Sequence, residues 1–317
     1  MKAIIWERYG PPEALRLGEV DKPEPGADEV LLMVRAVSVN VADWRSMRGK
    51  PLFSRATLGL WRPKHKILGV DVAGTVEEIG SGVTRFRPGD DVYANLLDHG
   101  YGGFAQYAAV PVGVMSPKPA SLSFEEAAAV PMSAVTALQG LRHHGELEPE
   151  QKVLINGASG GVGTFAVQIA KSFGPEVTAV TSAGNLDRAR ALGADHVIDY
   201  TTTDFVGTGQ RFDLILDTVG NRSVPDLRRA LALGGKAAVT GFTSVARLLS
   251  VSLRGGKDIT TVSAHVTSDD LAFLSELIDG NKVRPLIDRR YSFEEIPAAL
   301  GYLEQGHAKG KVVAAVE

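Results

Sequence analysis

The chain has 317 residues, of which 44% are hydrophobic and 22% are charged, close to the averages of soluble globular proteins. This composition excludes a disordered, collagen-like or coiled-coil chain, and the length predicts about two domains. A net charge of −3 gives no reason to expect a nucleic-acid or membrane partner, and the absence of cysteine excludes disulfides and cysteine-ligated metal sites.

Residues 1–122 are predicted to form short strands separated by glycine and proline. The amino terminus reaches a charged residue too early for a secretory signal, so we expect a cytoplasmic protein. Strands are predicted at 30–37, 72–79 and 92–94, with turns at 80–82 and 87–91. This spacing is typical of an all-β barrel or sandwich.

The pattern changes near residue 121, where strands and helices begin to alternate. Ser123 and Glu126 predict a capping box at the start of an alanine-rich helix, which Pro131 should bend or break. Strands are predicted at 153–155, 177–180, 212–216 and 236–240, and helices at 162–173, 186–192 and 224–233. This alternation predicts an α/β fold with a parallel sheet covered on both faces.

The last predicted elements are a helix at 293–305 and a strand at 312–316. This carboxyl-terminal segment could either close the parallel sheet or return to the first domain, and the sequence alone does not decide between them.

The strongest chemical signal is the turn Gly157-x-x-Gly160-x-x-Gly163, which lies between a predicted strand and a predicted helix. Glycines allow a tight turn and the close approach of a pyrophosphate, and the helix N-terminus offers N–H groups to it. A glycine-rich turn can also simply pack a helix on a sheet. In this context we interpret the turn as a dinucleotide site, with four contacting residues: Ser159, Gly160, Gly161 and Val162.

The same residues also fit a second motif, G-x-S-x-G, the nucleophile elbow of α/β-hydrolases. In that interpretation Ser159 is the nucleophile and His196 or His265 is the base. The hydrolase fold should place α/β strands before the elbow, whereas this chain has a glycine-punctuated β region there. The hydrolase therefore remains the less favoured alternative.

The end of the second strand of the α/β region bears on the choice of cofactor. An acidic residue usually stands there in NAD sites, but this chain has Ser182 and Asn185, followed by Arg188 on the next predicted helix. A carboxylate would repel the 2′-phosphate of NADP, so its absence favours NADPH. Ser182 and Asn185 could also serve as helix caps.

Motifs along the whole chain match those of one family. They are the glycine turn and segments 38–43, 68–74, 102–107, 136–139, 192–200, 217–220 and 310–313. With them the chain resembles the zinc-independent quinone oxidoreductase group of the medium-chain dehydrogenase/reductase superfamily. The resemblance implies a GroES-like β-barrel domain over 1–122 and a Rossmann domain with a doubly wound parallel sheet over 123–285. A segment over 286–317 would return to the first domain, and cofactor and substrate would meet between the domains.

The resemblance also bears on metal binding. Zinc-dependent relatives hold their metal with a cysteine and a histidine, and the matching positions here are Asn40 and Val70. His65 lies nearby on a basic loop, where a lone histidine is more often solvated than a ligand. Because catalytic zinc needs three protein ligands, we predict no metal.

The resemblance implies contacts to a nicotinamide dinucleotide from residues in both domains. Besides the glycine turn, Ser182 and Asn185, these are Asn40, Arg45, Thr136, Tyr200, Val219, Gly241, Phe242 and Lys311. Asn40 could instead be a turn residue, and Tyr200 could belong to the core. Where many relatives carry a basic residue for the 2′-phosphate, this chain has Gly184, which weakens the preference for NADPH.

The implied activity is transfer of hydride to a quinone or an α,β-unsaturated carbonyl compound. The substrate pocket would contain Asn40, Trp44 and Tyr101, while Trp61 could be a lid or a core anchor. No convincing catalytic acid is found in the sequence. A homodimer is possible, and a weakly catalytic NADPH-binding regulatory protein is the other alternative besides the hydrolase.

Overall fold

The computed structural model describes residues 1–316, which divide into two compact units. The first unit comprises residues 1–132, 266–279 and the chain from 285 onward, and the second comprises residues 133–265 and 280–284. The domain boundaries expected from the sequence, after residues 122 and 285, stay predictions. Within residues 1–316 we find no helix that is long and apolar enough to cross a bilayer.

The first half of the chain forms seven strands and four helices among the described residues. They are β1 (Lys2–Ile5), β2 (Arg16–Glu19), β3 (Glu29–Val39), α1 (Val41–Arg48), α2 (Arg55–Leu58), β4 (Asp71–Ile79), β5 (Asp91–Asn95), β6 (Tyr107–Pro111), β7 (Met115–Pro117), α3 (Phe124–Ala128) and α4 (Pro131–Gln139). The predicted capping box is present, since Glu126 N–H donates to Ser123 Oγ at 3.2 Å and Ser123 N–H donates to Glu126 Oε2 at 2.9 Å. The break at Pro131, where α4 begins, is also confirmed.

The second half continues with strands and helices in alternation. They are β8 (Lys152–Asn156), α5 (Gly161–Phe173), β9 (Glu176–Thr181), α6 (Leu186–Ala191), β10 (His196–Asp199), β11 (Phe212–Asp217), α7 (Val224–Ala230), β12 (Leu231–Val239), α8 (Val245–Arg254), β13 (Ile259–Thr261), α9 (Ser268–Asp279), β14 (Ile287–Tyr291), α10 (Ile296–Glu304) and β15 (Lys311–Ala315).

The first unit is built on a seven-stranded sheet with the path β14-β15-β3-β4-β5-β7, and β6 pairs with β3. Strand β15 runs antiparallel to β3, with Val312 opposite Val39. The carboxyl-terminal segment therefore returns to the first unit, which answers the question that the sequence left open. Its β14 was not predicted, because its burial alternates poorly and exposes Arg289 and Arg290.

The second unit contains a parallel sheet with the order β10-β9-β8-β11-β12-β13. Numbered from its first strand, β8, this is the order 3-2-1-4-5-6 of the doubly wound dinucleotide-binding fold, so the predicted fold class is confirmed. The chain reverses direction across the sheet between β8 and β11. Ligands of such sheets bind at the carboxyl ends of the strands near this reversal.

One predicted element is wrong in its extent. The helix expected over 224–233 ends at Ala230, and β12 begins at Leu231. The pair Gly234-Gly235, interpreted as a helix end, lies inside β12, where the pairing register with β11 shifts. Gly234 has a φ of +77°, so it serves an irregularity of the strand.

Candidate active site

The turn between β8 and α5 contains glycines of two kinds. A Cβ on Gly157, where φ is +85°, would lie 2.5 Å from Thr218 Oγ1, and one on Gly163 would lie 2.1 Å from the carbonyl oxygen of Gly157. Packing within the protein therefore requires glycine at positions 157 and 163. At Gly160 a Cβ would meet only the Gly157 oxygen, at an ordinary 3.5 Å. The missing side chain at Gly160 leaves open space at the N-terminus of α5, which suits the close approach of a phosphate.

Polar atoms collect at the end of β9. The side chain of Asn185 donates to Ser182 Oγ at 3.0 Å, which leaves the Ser182 hydroxyl hydrogen as a possible donor to a ligand. Asn185 Oδ1 and Thr181 Oγ1 are buried without a hydrogen-bond partner among the described residues. Neither Ser182 nor Asn185 forms a side-chain cap, so the alternative capping role is not seen. The Ser182 hydroxyl can therefore donate a hydrogen bond and Asn185 Oδ1 can accept one. Such a pair of groups suits a ribose and its substituents.

The loops after the neighbouring strands come next along the same edge. Tyr200 follows β10 and is 58% exposed, so the alternative of core packing is wrong for it. After β11, Asp217 Oδ1 accepts the N–H groups of Val219 and Gly220, both at 3.0 Å. A Cβ on Gly241 would lie 2.3 Å from the carbonyl oxygen of Thr218, so this glycine lets two loop backbones touch.

Two further predicted cofactor residues, Thr136 and Phe242, are buried or half-buried. Thr136 is buried and lies in the second turn of α4. Phe242 follows Gly241 and is half-buried. The structure thus places ten of the predicted cofactor residues along the carboxyl ends of the parallel strands, in the second unit. They are Ser159, Gly160, Gly161, Val162, Ser182, Asn185, Tyr200, Val219, Gly241 and Phe242.

In the first unit, a buried polar cluster surrounds Asn40, which follows β3 and precedes α1. Its amide nitrogen donates to the Ser38 carbonyl oxygen at 3.1 Å and to Asp71 Oδ2 at 2.9 Å. Its carbonyl oxygen accepts from Lys311 Nζ at 2.6 Å. Both amide hydrogens are therefore used, and a ligand could add only a hydrogen bond to the carbonyl oxygen of Asn40.

Asp71 is the centre of this cluster and is fully buried. Its Oδ1 accepts from Asn95 Nδ2 at 2.7 Å and from the backbone N–H of Met132 at 3.0 Å, and Lys311 Nζ lies 3.8 Å from its Oδ2. Burial raises the pKa of Asp71, opposed by the Lys311 cation and these donors. Burial lowers the pKa of Lys311, opposed by Asp71 and Asp43. One carboxylate thus connects β3, β4, β5, α4 and β15.

A second buried carboxyl group, that of Asp43, lies in the first turn of α1. Its Oδ2 accepts the backbone N–H of Asn40 at 2.8 Å, and its Oδ1 is buried without a hydrogen bond of good geometry among residues 1–316. Burial raises the pKa of Asp43 to about 8, and the nearby Asp71 adds to the rise, while N–H groups and Lys311 oppose it. Asp43 is therefore mostly protonated at neutral pH.

The residues predicted for the substrate pocket surround the same helix. Tyr101 OH lies 3.0 Å from Ser46 Oγ on α1, and Trp44 packs against the core of the first unit. The guanidinium carbon of Arg45 lies 5.6 Å from the centroid of the Trp44 ring, and burial lowers the pKa of Arg45. Trp61 is 88% exposed, so it is not a core anchor.

Sequence reasoning missed α1 and most of the buried cluster. Two signals could have found them. Asn40 followed three residues later by Asp43 and then by Gly49, whose φ is +60°, is the pattern of a short capped helix. Asp71 lies inside the apolar run 68–73, where an acid requires buried partners.

The positions that hold zinc in the zinc-dependent relatives do not suit a metal here. Val70 is aliphatic and buried, the chain has no cysteine, and the amide of Asn40 is already occupied. The ammonium group of Lys311, 2.6 Å from Asn40 Oδ1, would also repel a metal cation at this point. His65, predicted to be solvated, is half-buried with its ring centroid 5.8 Å from that of Tyr101. No group of three or more potential metal ligands occurs within residues 1–316.

The hydrolase alternative fails for one of its two histidines. His196 begins β10 and its Nε2 lies 2.9 Å from Glu176 Oε1 at the start of β9. Ser159 follows the end of β8. In a parallel sheet the starts and ends of strands lie at opposite edges, so His196 cannot act on Ser159.

A doubly wound sheet with a glycine turn after its first strand defines a protein that binds a dinucleotide. Residues 26–120 match the family described as alcohol dehydrogenase GroES-like domain, and residues 192–313 match the family described as zinc-binding dehydrogenase. The second description names zinc, but the side chains of Asn40 and Val70 do not suit a metal ion, for the reasons given above.

Similar proteins agree with this class. The chain is 33% identical to 2-methylene-furan-3-one reductase of Solanum lycopersicum, over 99% of this chain and 78% of that protein. It is 32% identical to the NADPH-dependent alkenal/one oxidoreductase, chloroplastic, of Arabidopsis thaliana, over 99% and 79%. The solved structure of the quinone oxidoreductase from Coxiella burnetii matches with a TM-score of 0.90 and 29% identity, over 100% and 99%. The chain belongs to the quinone oxidoreductase group of the medium-chain dehydrogenase/reductase superfamily and is an oxidoreductase.

Proposed function

We propose that the chain is an NADPH-dependent reductase of quinones and α,β-unsaturated carbonyl compounds that uses no metal. The observation that carries the cofactor preference is the end of β9, where the Ser182 hydroxyl can donate and residues 181–185 include no acid. The Asp199 carboxylate, at the end of β10, is held by the backbone N–H of Ala183 and by Thr201. The names of the similar proteins support the substrate class, since they include a 2-methylene-furan-3-one, an alkenal or alkenone, and a quinone. The predicted cytoplasmic location and homodimer stay predictions.

Bound NADPH would supply a hydride, and the chain's own residues would hold and orient the reactants. The helix N-terminus at Gly161 and the open space at Gly160 would take the pyrophosphate. Ser182 and Asn185 would contact the adenosine ribose and its phosphate, and the exposed ring of Tyr200 could cover the adenine. The carbonyl oxygen of Asn40, held by Lys311, would accept one hydrogen bond from the nicotinamide ribose or the substrate.

The remaining predicted contacts follow the resemblance. They are Arg45, Thr136, Val219, Gly241 and Phe242 toward the cofactor, and Trp44 and Tyr101 toward the substrate. Lys311 is only 3% exposed, so we assign it to positioning Asn40 rather than to a large contact with the cofactor.

The general test is oxidation of NADPH and NADH by the purified protein with a panel of quinones, enones and alkenals. Turnover with at least one acceptor class is expected, faster with NADPH. Tight NADPH binding without turnover across the panel would instead establish the regulatory alternative. Esterase activity that is lost in Ser159→Ala, without affinity for NADPH, would establish the hydrolase.

Ser182→Asp tests the cofactor preference directly. The new carboxylate would stand near the 2′-phosphate, and like charges about 4 Å apart repel by several kcal/mol at a partly screened site, so NADPH affinity should fall roughly tenfold or more. NADH affinity should change much less. Dissociation constants from quenching of protein fluorescence check both values.

The matched control is Ser182→Ala, which removes the hydroxyl donor without adding a charge. It should weaken NADPH binding by less than the aspartate does. Equal losses of NADPH and NADH affinity in Ser182→Asp would show that this residue does not read the 2′-phosphate.

A further inference from the structure

Tyr101 has a backbone conformation that a tyrosine rarely adopts. Its φ is +65°, and it lies between Gly100 and Gly102, whose φ values are +91° and +108°. A non-glycine residue in this region is strained, and such strain clusters at functional sites. Glycine would fill the position with less strain, so the feature to explain is the side chain.

Several elements of the first unit hold the phenol in one place. The ring packs edge-on against buried Trp6, with centroids 6.4 Å apart, and lies against His65 at 5.8 Å. The hydroxyl lies 3.0 Å from Ser46 Oγ on α1. These contacts fix the ring of Tyr101. The residue is half-buried, so part of its surface is accessible to solvent.

The phenol can donate a proton at neutral pH. Burial raises the pKa of Tyr101 and the hydrogen bond with Ser46 opposes the rise, so the phenol is neutral. Once the phenol has lost its proton, the Ser46 hydroxyl can donate a hydrogen bond to the phenolate oxygen.

We propose that Tyr101 is the proton donor for reduction of α,β-unsaturated carbonyl substrates. The inference rests on the proposed function and adds the acid that the sequence did not reveal. Its geometric basis is the phenol hydroxyl, fixed 3.0 Å from Ser46 Oγ on a backbone whose φ is +65°.

The substrate gains one hydride and one proton. A hydride, which bound NADPH would supply on becoming NADP+, forms a C–H bond at the β-carbon, and the π electrons of the C=C bond move to give an enolate. The α-carbon then takes the proton of the Tyr101 hydroxyl, which leaves a phenolate. Because Tyr101 is half-buried, the phenolate regains its proton from water.

Reduction of a quinone does not need a positioned acid to the same extent. The negative charge of the reduced quinone lies on oxygen, and oxygen exchanges protons rapidly with water. Protonation of a carbon is slow and needs a positioned acid, which typically contributes 10²–10⁴-fold. Tyr101 should therefore matter more for enones than for quinones.

The first test is Tyr101→Phe, assayed with one enone and one quinone under the same conditions. The ratio of enone kcat to quinone kcat should fall by about 100-fold or more, as removal of a general acid predicts. Tyr9→Phe is the matched control, because the Tyr9 ring also packs edge-on against Trp6, at 5.6 Å, while its hydroxyl donates to the Gly59 carbonyl oxygen at 2.6 Å. This control should leave the ratio unchanged.

The second readout is the position of deuterium in product formed in heavy water. Wild-type protein should deliver deuterium to one face of the α-carbon, and Tyr101→Phe should give a mixture of both faces. Ser46→Ala should lower the enone to quinone ratio less than Tyr101→Phe does, and it should retain the single face.

Two results would overturn the assignment. One is an unchanged enone to quinone ratio with single-face delivery in Tyr101→Phe. The other is an equal loss of both activities in this variant, which would make Tyr101 a structural residue only. Failure of the proposed function is distinguishable from both, because wild-type protein would then reduce neither acceptor.

Discussion

Replacing Lys311 with methionine should lower the free energy of unfolding by about 3–5 kcal/mol, because it removes the cation from a buried ion pair. Lys311 is 3% exposed and Asp71 is fully buried, with 3.8 Å between Nζ and Oδ2. Without the ammonium group, the buried Asp71 carboxylate loses its counter-charge and Asn40 Oδ1 loses its donor. Methionine fills most of the vacated volume, so the loss reports on charge rather than on a cavity. Denaturant unfolding of both proteins measures it.

The partner variant turns this loss into a test of the pair. Asp71→Asn removes the negative charge, so Lys311→Met combined with Asp71→Asn should be more stable than the sum of the two single losses predicts. The coupling should amount to about 1 kcal/mol or more, as is usual for groups in one network. A surface pair in the same unit provides the control: Lys22 Nζ lies 2.6 Å from Glu77 Oε1, and both side chains are about one-third exposed.

Lys22→Met should change the stability by less than about 1 kcal/mol, because water screens exposed ion pairs. If Lys311→Met lowered the free energy of unfolding no more than Lys22→Met does, the buried ion pair would stabilise the fold no more than an exposed pair. The same outcome would remove our reason for assigning Lys311 to the positioning of Asn40.

The parallel sheet could be predicted from the sequence because its signals are local. Each of its central strands is a short run of apolar residues, and most are followed by a turn and a helix that end at glycine. Gly193, for example, has a φ of +105° after α6, as the predicted helix end requires. The exception is instructive, since Gly234-Gly235 gives the same local signal but lies in a strand bulge, where pairing with β11 decides the conformation.

The candidate site in the first unit could be predicted only in part, because it joins residues that are far apart in the chain. Asn40 and Lys311 were each expected near the cofactor, but their contact spans 271 positions. The pairing of β15 with β3 creates this contact, and the sequence left that pairing undecided. Asp71 and Ser46 were not predicted to be site residues, because the groups that they contact are known only from the tertiary structure.

Asp43→Asn should stabilise the protein progressively, relative to wild type, as the pH rises from about 4 to about 8. Burial raises the pKa of Asp43 from 3.8 in the unfolded chain to about 8 in the folded one. Between these values the folded state holds one proton more than the unfolded state, so wild-type stability falls as pH rises by about 1.4 kcal/mol per pH unit from this group. Above a pH of about 8 both states are ionised and the fall ends.

Asparagine is the uncharged near-isostere of the protonated acid. Its side-chain oxygen can still accept the backbone N–H of Asn40, a bond of 2.8 Å in the wild type, and it does not ionise. The difference in unfolding free energy between Asp43→Asn and wild type should therefore rise with pH through this window, since every other titrating group is shared. Denaturant unfolding of both proteins at four pH values between 5 and 8 measures the slope. A difference independent of pH would mean that Asp43 is ionised throughout, and Asp43→Asn should then be destabilising because the cluster would lose a needed negative charge beside Lys311.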